Sequence, residues 1–270
     1  LWSFVAPEHF GRLKRLWNNT PLIDFPTPPP GQGNHKDYFF DGSVGAYRTP
    51  GGDVWIYATM RRGGRQVYAF DVSTATAPSL MWRRGCPNPY DDTGCDTGLV
   101  GIGQTWSAVQ VFRAGGYLDA ATSPAPRPIA IFGGGYDPCE DLEPDACVTP
   151  KGNRIYVVDA QTGALLKTFD TIRSVAADIT VIDGNADGEG ELAYAVDTGG
   201  NLYRIGVGDG VPADWTITQV AALGCDAPPC AASGAYNRKF LHAPEVVVTK
   251  LYNAVLVGSG DREHPKAPPE

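Results

Sequence analysis

The residues best suited to chemistry lie on one acidic, glycine-rich stretch, residues 183–191. Oxygen-bearing side chains stand at its first, third, fifth, seventh and ninth positions, and glycine at its second, sixth and eighth. A hard cation such as Ca²⁺ takes about six to eight oxygen ligands at about 2.3–2.6 Å. Because a tightly wound loop brings alternate side chains to one point, this spacing predicts a Ca²⁺ site.

Five residues are the candidate ligands of this loop. Its opening has the spacing of an EF-hand loop, but the closing acid comes at position nine rather than twelve. Apolar β-type residues flank both ends, so we predict a calcium loop within a β-hairpin. Asp183, Asn185, Asp187 and Glu191 are the side-chain candidates, Glu189 offers its backbone carbonyl, and water completes the shell.

Two other interpretations of the loop remain open. Asp, Asn and Gly are favoured turn formers, so a metal-free acidic turn is the main alternative. Four carboxylates within nine residues repel one another without a cation, which favours a metal site. Mg²⁺ fits less well than Ca²⁺, because it keeps its waters and seldom enters an all-protein cage.

The cysteines indicate the compartment. All six fall into three close pairs that bracket loop-like stretches, and no C-x-x-C occurs beside the four scattered histidines. This favours disulfides over zinc, although other pairings of the same cysteines remain open. Disulfides indicate an oxidising environment: periplasm, cell surface or secretion. The predicted pairs are Cys86 with Cys95, Cys139 with Cys147, and Cys225 with Cys230.

Other chemical signals are weak. The glycines at residues 133–135 lack the spacing of a dinucleotide-binding loop, and Ser107 lies outside a G-x-S-x-G motif. Asp71 and Asp159 occupy equivalent positions of a repeat, which predicts a role in turns. No catalytic constellation emerges, so the sequence predicts a protein that is not an enzyme.

Composition describes the elements that must position the loop. Of 270 residues, 33 are Gly and 23 are Pro, which disfavours long helices, while 43% hydrophobic residues exclude a disordered chain. Short strands joined by turns are therefore expected. The formal charge of −8 argues against a nucleic-acid or anionic-membrane surface. No apolar run approaches the roughly 20 residues that span a bilayer.

A repeat predicts how the strands are arranged. Four segments of small polar and then β-branched residues recur at intervals of 64, 69 and 67 residues. In the first three units, a third strand carries Tyr and a fourth strand ends with a large aromatic residue. The first strands lie at residues 41–47, 105–112, 175–182 and 242–248, and the second strands at 54–60, 129–132, 192–196 and 254–257. The third strands lie at 67–71, 155–159 and 202–205, and the terminal aromatics are Trp82, Phe169 and Trp215.

Four short strands per unit are typical of a β-propeller blade. The predicted fold is all-β: a modified β-propeller of four-stranded antiparallel blades over residues 37–270. A β-sandwich with coincidental spacing is the alternative. About three and a half blades cannot close a ring, so we expect part of a roughly seven-bladed propeller that is completed outside this chain.

Residues 1–36 are predicted to form a separate N-terminal segment. Phe10, Leu13, Leu16 and Trp17 stand at helical spacing with basic residues between them. This predicts a short amphipathic helix that covers the outside of the sheets and leaves its basic face solvated. A Pro-rich, extended linker follows at residues 25–30.

Several motifs, taken in order along the chain, resemble the C-terminal propeller of PilY-type proteins, which are type IV pilus biogenesis factors and pilus-tip adhesins. They are residues 1–7 with Arg12, Leu13 and Lys14, then residues 38–43, 105–107 and 197–204. The acidic loop falls where that family carries its calcium loop. The resemblance therefore implies a Ca²⁺-binding modified propeller, with Asp183, Asn185, Asp187 and Glu191 on the positions of the family's ligands. Glu191 departs from the Asp usual there, and the chain has no Arg-Gly-Asp for integrin-type adhesion.

The resemblance also implies a location and a function. It implies export to the periplasm, outer membrane and cell surface, and partners among the minor pilins and other pilus components. It further implies roles in pilus assembly against retraction, in twitching motility and in attachment to host or abiotic surfaces. The leading alternative is a quinoprotein-like periplasmic dehydrogenase, whose propeller binds Ca²⁺ and pyrroloquinoline quinone. A third possibility is an interaction scaffold whose loop holds no metal.

Overall fold

The computed structural model describes residues 2–20, 37–118, 126–141, 151–208, 210–224 and 238–260. Its strands form three four-stranded sheets and one two-stranded sheet, all antiparallel, and each sheet follows the order of the chain. The first sheet contains β1 (Val44–Arg48), β2 (Val54–Thr59), β3 (Arg65–Asp71) and β4 (Ser79–Cys86). The second contains β5 (Gln110–Leu118), β6 (Pro126–Gly133), β7 (Arg154–Asp159) and β8 (Leu165–Asp170). The third contains β9 (Thr180–Ile182), β10 (Leu192–Val196), β11 (Asn201–Gly206) and β12 (Thr216–Ala222), and the fourth β13 (Glu245–Val248) and β14 (Asn253–Leu256).

Successive sheets pack face to face through buried apolar side chains. The pleat of β6 shows the arrangement: Ala130 and Phe132 face a cluster shared with the first sheet, while Ile129 and Ile131 face a cluster shared with the third. A third cluster joins the third sheet to the fourth. The first strands β1, β5, β9 and β13 contact their successors, so these strands lie together at one side of the stack. This is the arrangement of propeller blades around an axis, and the predicted all-β propeller fold is confirmed.

Some strand boundaries differ from the prediction. The first strands begin later than expected, and β9 keeps only residues 180–182 of the predicted 175–182. The fourth strands do not all end at an aromatic residue: Trp82 lies inside β4, Phe169 near the end of β8, and Trp215 immediately before β12. The aromatic residues mark a buried position of the repeat, since all three side chains are buried.

The predicted N-terminal helix is present, but its orientation was predicted wrongly. A 3₁₀ turn at Pro7–His9 leads into α1 (Phe10–Asn18). Arg12 and Arg15 of its basic face contact the protein, at the carbonyls of Tyr38 and Gly63 and at the carboxylate of Asp37. The apolar side chains are exposed, and Trp17 is 90% accessible. The helix docks through hydrogen bonds and ion pairs because these basic side chains meet oxygen acceptors beside the first sheet.

Residues 2–6 provide the apolar contacts with the first sheet that α1 does not make. Trp2 and Phe4 pack on Phe70, and Phe4 also meets Tyr68, at ring-centroid distances of 4.9–6.1 Å. These rings cover the face of the first sheet that points away from the second. The Pro-rich stretch at 25–30 lies outside the described residues.

One predicted disulfide pair is confirmed. Cys86, at the end of β4, is bonded to Cys95. Cys139 is also disulfide-bonded, whereas Cys147, Cys225 and Cys230 lie outside the described residues. Among the described residues, no helix is long and apolar enough to cross a bilayer.

Candidate metal centre

The acidic loop joins two paired strands, as the sequence predicted. β9 and β10 run antiparallel, with Ile182 opposite Leu192. The loop between them closes with a hydrogen bond from Glu191 N–H to the Ile182 carbonyl, at 3.0 Å. Residues 183–191 are therefore a hairpin loop at one end of the third sheet.

The carboxylate of Asp183 organises the backbone of the loop. Oδ1 accepts hydrogen bonds from the Ala186 and Asp187 N–H groups at 2.6 and 3.2 Å, and Oδ2 accepts one from Gly188 N–H at 2.8 Å. Ala186 adopts a left-handed conformation (φ 63°), as does Gly188 (φ 86°). The chain thus winds tightly around the first predicted ligand, which is how alternate side chains come to one side.

Three of the predicted ligands converge. Asp183, Asp187 and Glu191 each offer a carboxylate oxygen, and these oxygens all lie within 4.8 Å of one another. Two oxygens on opposite sides of a Ca²⁺ ion, each about 2.4 Å from it, stand about 4.8 Å apart. The cluster therefore has the dimensions to share one Ca²⁺. Asp183 and Asp187 are exposed and Glu191 is half-buried, so an ion could enter from solvent.

The other two predicted ligands are placed differently. Asn185 lies beside the cluster: its Oδ1 accepts the Asp187 N–H at 2.9 Å and its Nδ2 donates to Asp187 Oδ2 at 3.0 Å. Glu189 turns its carboxylate towards β5, where a Cβ at Gly115 would stand 2.9 Å from Glu189 Oε2. Its assignment as a backbone-carbonyl ligand stays a prediction.

The base of the loop is anchored within its own sheet. The Glu191 carbonyl accepts hydrogen bonds from Val207 and Gly208 N–H at 2.9 and 3.1 Å, and Glu191 Oε2 accepts one from Gly184 N–H at 2.6 Å. Glu191 therefore fixes both ends of the loop while the tip stays exposed. A cation at the cluster would meet carboxylates that hydrogen bonds within the loop already orient, with Asp183 and Asp187 on the exposed side.

The sequence analysis missed the strand from the neighbouring sheet that completes this region. β5 runs beside the loop, and Gly190 N–H donates to the Arg113 carbonyl at 2.8 Å. A cavity of about 370 Å³ lies between the loop and Gly115 and Gly116 of β5. Two glycines inside a strand were an available signal, because glycine there marks a close approach of another backbone or ligand.

A second cluster of potential ligands is not a thiolate metal site. Cys86, Asp92 and Cys95 lie together, but the two sulfurs are bonded to each other. Asp92 instead accepts hydrogen bonds from Arg65 and Lys151. The prediction of a disulfide rather than zinc is confirmed for this pair.

The repeated aspartates have the predicted turn role. Asp71 Oδ1 accepts a hydrogen bond from Ser73 N–H at 2.8 Å. Asp159 Oδ1 accepts hydrogen bonds from Gln161 and Thr162 N–H, two and three residues further on. Both carboxylates satisfy backbone donors where a third strand turns into a fourth, as is typical of Asp in turns.

Comparisons with known proteins find similarity to pilus proteins. No family profile matches it. Curated proteins that it resembles are the type IV pilus biogenesis factors PilY1 of Pseudomonas aeruginosa strains PAO1 and PAK. Each is 23% identical over 181 residues, which cover 64% of this chain and 13% of the relative's length. The matched segment is thus a small part of those proteins.

Two solved structures, one of them from PilY1, also match this chain. The crystal structure of the C-terminal domain of P. aeruginosa PilY1 matches with a TM-score of 0.61 and 17% identity, covering 96% of this chain and 48% of that one. A quinohemoprotein alcohol dehydrogenase of Pseudomonas putida HK5 matches with a TM-score of 0.34 and 17% identity, over 70% of this chain and 29% of the enzyme. That second overlap is too low to support an inference. The sequence matches to PilY1 confirm the resemblance found in the motifs, and the structural match to its C-terminal domain agrees with the propeller fold.

Proposed function

We propose that this domain is a calcium-binding, non-enzymatic part of a type IV pilus biogenesis factor. The sequence similarity to PilY1 supports the role in pilus biogenesis. The observation that carries the calcium assignment is the convergence of the Asp183, Asp187 and Glu191 carboxylates within 4.8 Å. The sequence match to a pilus factor makes the alternative quinoprotein dehydrogenase the weaker proposal.

Calcium would act on the shape and charge of one surface. An ion shared by these three carboxylates offsets their mutual repulsion and adds to the hydrogen bonds by which Asp183 holds the loop tip. A rigid, less acidic loop would favour one state of the surface that meets pilins or the assembly machinery. Minor pilins and other pilus components are the proposed partners.

The wider role follows from the same similarity. We assign the protein to the periplasm, outer membrane and pilus-bearing cell surface, and the disulfide between Cys86 and Cys95 supports an oxidising compartment. There it would support pilus assembly against retraction, and through the pilus twitching motility and attachment to host or abiotic surfaces.

Calcium titration of the domain tests the metal assignment. Calorimetry should detect binding to the wild type, and a calcium concentration of about 100 times Kd should stabilise the fold by about 2.7 kcal/mol. Asp187→Ala should weaken binding by about tenfold or more, because it removes one converging carboxylate. Asp53→Ala, at an exposed position between β1 and β2, is the matched control. A wild type with no heat of binding and an unchanged melting temperature would refute the calcium assignment.

The pilus role is tested in cells with the full-length protein. A strain that lacks the gene should lose surface pili and twitching, and Asp53→Ala should restore both. Asp187→Ala should restore them poorly if calcium supports assembly against retraction. Full piliation with Asp187→Ala would contradict the regulatory role of calcium, and full piliation without the gene would contradict the pilus role itself. Quinone absorbance with dye-linked alcohol oxidation would instead favour the dehydrogenase.

A further inference from the structure

The acidic loop (residues 183–191) belongs to the third sheet but is also hydrogen-bonded to the second. Gly190 N–H donates to the Arg113 carbonyl of β5 at 2.8 Å, and Arg113 Nη2 lies 3.5 Å from the Gly188 carbonyl. These two contacts hold the second half of the loop, where Glu191 provides a converging carboxylate. The loop conformation therefore depends on a neighbouring blade as well as on its own hairpin.

Gly190 brings the loop into close contact with an aromatic side chain of β5. A Cβ at Gly190 would stand 2.8 Å from Phe112 Cδ2 and 2.8 Å from Val181 Cγ1. Real Cβ contacts are longer than this, so only glycine fits without movement of the ring or of the loop. Gly190 is buried, unlike the loop tip. The loop is thus packed against the ring of Phe112.

Phe112 links this contact to a tryptophan. Its ring stacks on Trp215 with a centroid distance of 6.2 Å and an interplanar angle of 24°. Trp215 is buried and lies in the cluster between the second and third sheets. Phe112 and Arg113 are the last regularly paired residues of β5, because its pairing with β6 is interrupted just beyond Arg113. A shift of the loop can therefore reach Trp215 through one side chain.

We propose that Phe112 and Arg113 are positioning residues of the metal centre and that metal occupancy is transmitted through Phe112 to Trp215. This inference rests on the proposed calcium binding. An ion favours the loop conformation in which the carboxylates converge, and the contacts with β5 favour that same conformation. By linkage, the contacts should raise calcium affinity, and calcium should strengthen the contacts between the two blades.

A pair of glycine substitutions tests the positioning role. Gly190→Ala adds a methyl group against Phe112 and Val181, whereas a Cβ at Gly206, on β11 of the same sheet, would meet nothing within 4 Å. Gly190→Ala should weaken calcium binding about tenfold, and Gly206→Ala should leave it within about twofold of the wild type. In metal-free protein, amide exchange of residues 184–190 should be about tenfold faster in Gly190→Ala alone.

Tryptophan fluorescence tests the transmission. Calcium should change the emission of the wild type and of Gly206→Ala, and Trp215→Phe should lose most of that change while calorimetry shows unchanged calcium affinity. Phe112→Leu should reduce the change as well. Arg113→Gln should weaken calcium binding, with Arg204→Gln, an exposed position on β11, as its control.

The outcomes separate this inference from the proposed function. If the wild type binds calcium but Gly190→Ala and Gly206→Ala match it in affinity and exchange, the positioning role is refuted and calcium binding stands. If Trp215→Phe keeps the full fluorescence change, the transmission through Phe112 is refuted. A wild type that binds no calcium refutes the proposed function, and the transmission with it.

Discussion

Buried charged side chains connect the loops at one end of the third sheet. The acidic loop lies at the opposite end of that sheet. Arg173 is 2% exposed and Glu140 is fully buried, and the two form an ion pair with an Nη2–Oε2 distance of 2.7 Å. Thr198 donates to Glu140 Oε1 at 2.8 Å, and Lys239 Nζ donates to the Glu140 carbonyl at 2.6 Å. Because a buried charge is costly unless it is paired and hydrogen-bonded, these contacts fix the relative positions of segments that are distant in sequence.

Asp197 is the acceptor at the centre of this region. Its carboxylate accepts hydrogen bonds from the N–H groups of Arg173, Gly199 and Asn201, from Asn201 Nδ2 and from the Tyr203 hydroxyl, at 2.8–3.0 Å. Burial raises the pKa of Asp197, and the hydrogen bonds from Asn201, Tyr203 and Arg173 oppose that shift. We predict that Asp197→Asn lowers the free energy of unfolding by about 2 kcal/mol or more, because an amide NH₂ would face donors. Urea unfolding measures this.

An exposed aspartate provides the control for Asp197→Asn. Asp41 lies before β1 on the surface, and Asp41→Asn should change the free energy of unfolding by less than about 0.5 kcal/mol. Equal effects of the two substitutions would mean that the donors around Asp197 readily find other acceptors. The buried hydrogen bonds of Asp197 would then contribute little to stability, contrary to the prediction.

At the scale of elements, the N-terminal segment docks through a buried histidine. His9 is 1% exposed, and its Nε2 lies 3.0 Å from the Gly63 carbonyl. On one side, Arg12 reaches the same carbonyl. On the other, Glu8 accepts a hydrogen bond from Tyr68 and pairs with Arg83. This small polar interface seats α1 on the first sheet.

We predict that docking of this segment weakens in mild acid. Burial lowers the pKa of His9 and the charge of Arg12 adds to that, while the Gly63 carbonyl and Glu8 act in the opposite direction. A histidine pKa that is lower in the folded protein favours the neutral form. Its contribution to stability is therefore complete above the ordinary value of 6.5 and is lost as pH falls through the folded value. Protection of the amides of residues 2–18, relative to their intrinsic exchange rates at each pH, should decrease as the pH falls from about 7.5 to about 5.5.

Replacing His9 with a residue that cannot titrate distinguishes its contribution to the acid response from that of the nearby Glu8. Glutamine can still donate to the Gly63 carbonyl, so His9→Gln should keep the segment docked and remove most of the pH dependence. If His9→Gln shows the same acid response as the wild type, His9 is not its source. Glu8, which also faces this interface, would then be the group to replace.

The same elements show what a sequence can predict. The spacing of Phe10, Leu13 and Leu16 predicted a helix correctly, because periodicity is a local property. The same spacing gave the wrong docking face of the helix, because it left the basic face in solvent. The acceptors of Arg12 and Arg15 lie on residues 37–63, and sequence spacing does not show that these residues lie beside the helix. The hairpin and the convergence of three carboxylates were likewise local and predictable. The contact between Gly190 and β5 was not, since it depends on how two blades pack.

At the scale of the whole molecule, the first strands of the blades also differ from what the sequence predicted. The predicted strand at 175–182 is mostly irregular because its polar groups pair with other loops. Asp178 Oδ1 accepts the Ala108 N–H at 2.6 Å, and the Val175 carbonyl accepts the Gly135 N–H at 2.9 Å. The sequence pattern predicted a first strand at these positions. It did not predict the hydrogen bonds to other loops that replace regular strand pairing there. The repeat was sufficient to predict blades because each blade is a local meander.

The stacking of the sheets leads to a prediction about cooperativity. In the described part of the chain, three of the four buried clusters lie between successive sheets, and neighbouring residues of β6 point into different clusters. Phe132→Ala should cost about 3–5 kcal/mol, and Ile131→Ala about 2–5 kcal/mol, through the cavities that they leave. If the blades behave as a nearest-neighbour array, each substitution should loosen a different interface.

Hydrogen exchange resolved by segment distinguishes the two interfaces. Phe132→Ala should speed exchange mainly in β2 and β3, which share its cluster, and Ile131→Ala mainly in β10 and β11. Because both residues lie on the same strand and are fully or almost fully buried, a difference in backbone position or exposure would not explain opposite patterns. If both substitutions accelerate exchange equally in all four sheets, the blades unfold as one cooperative unit. In that case, the proposed transmission from the acidic loop to β5 would affect every blade rather than one interface.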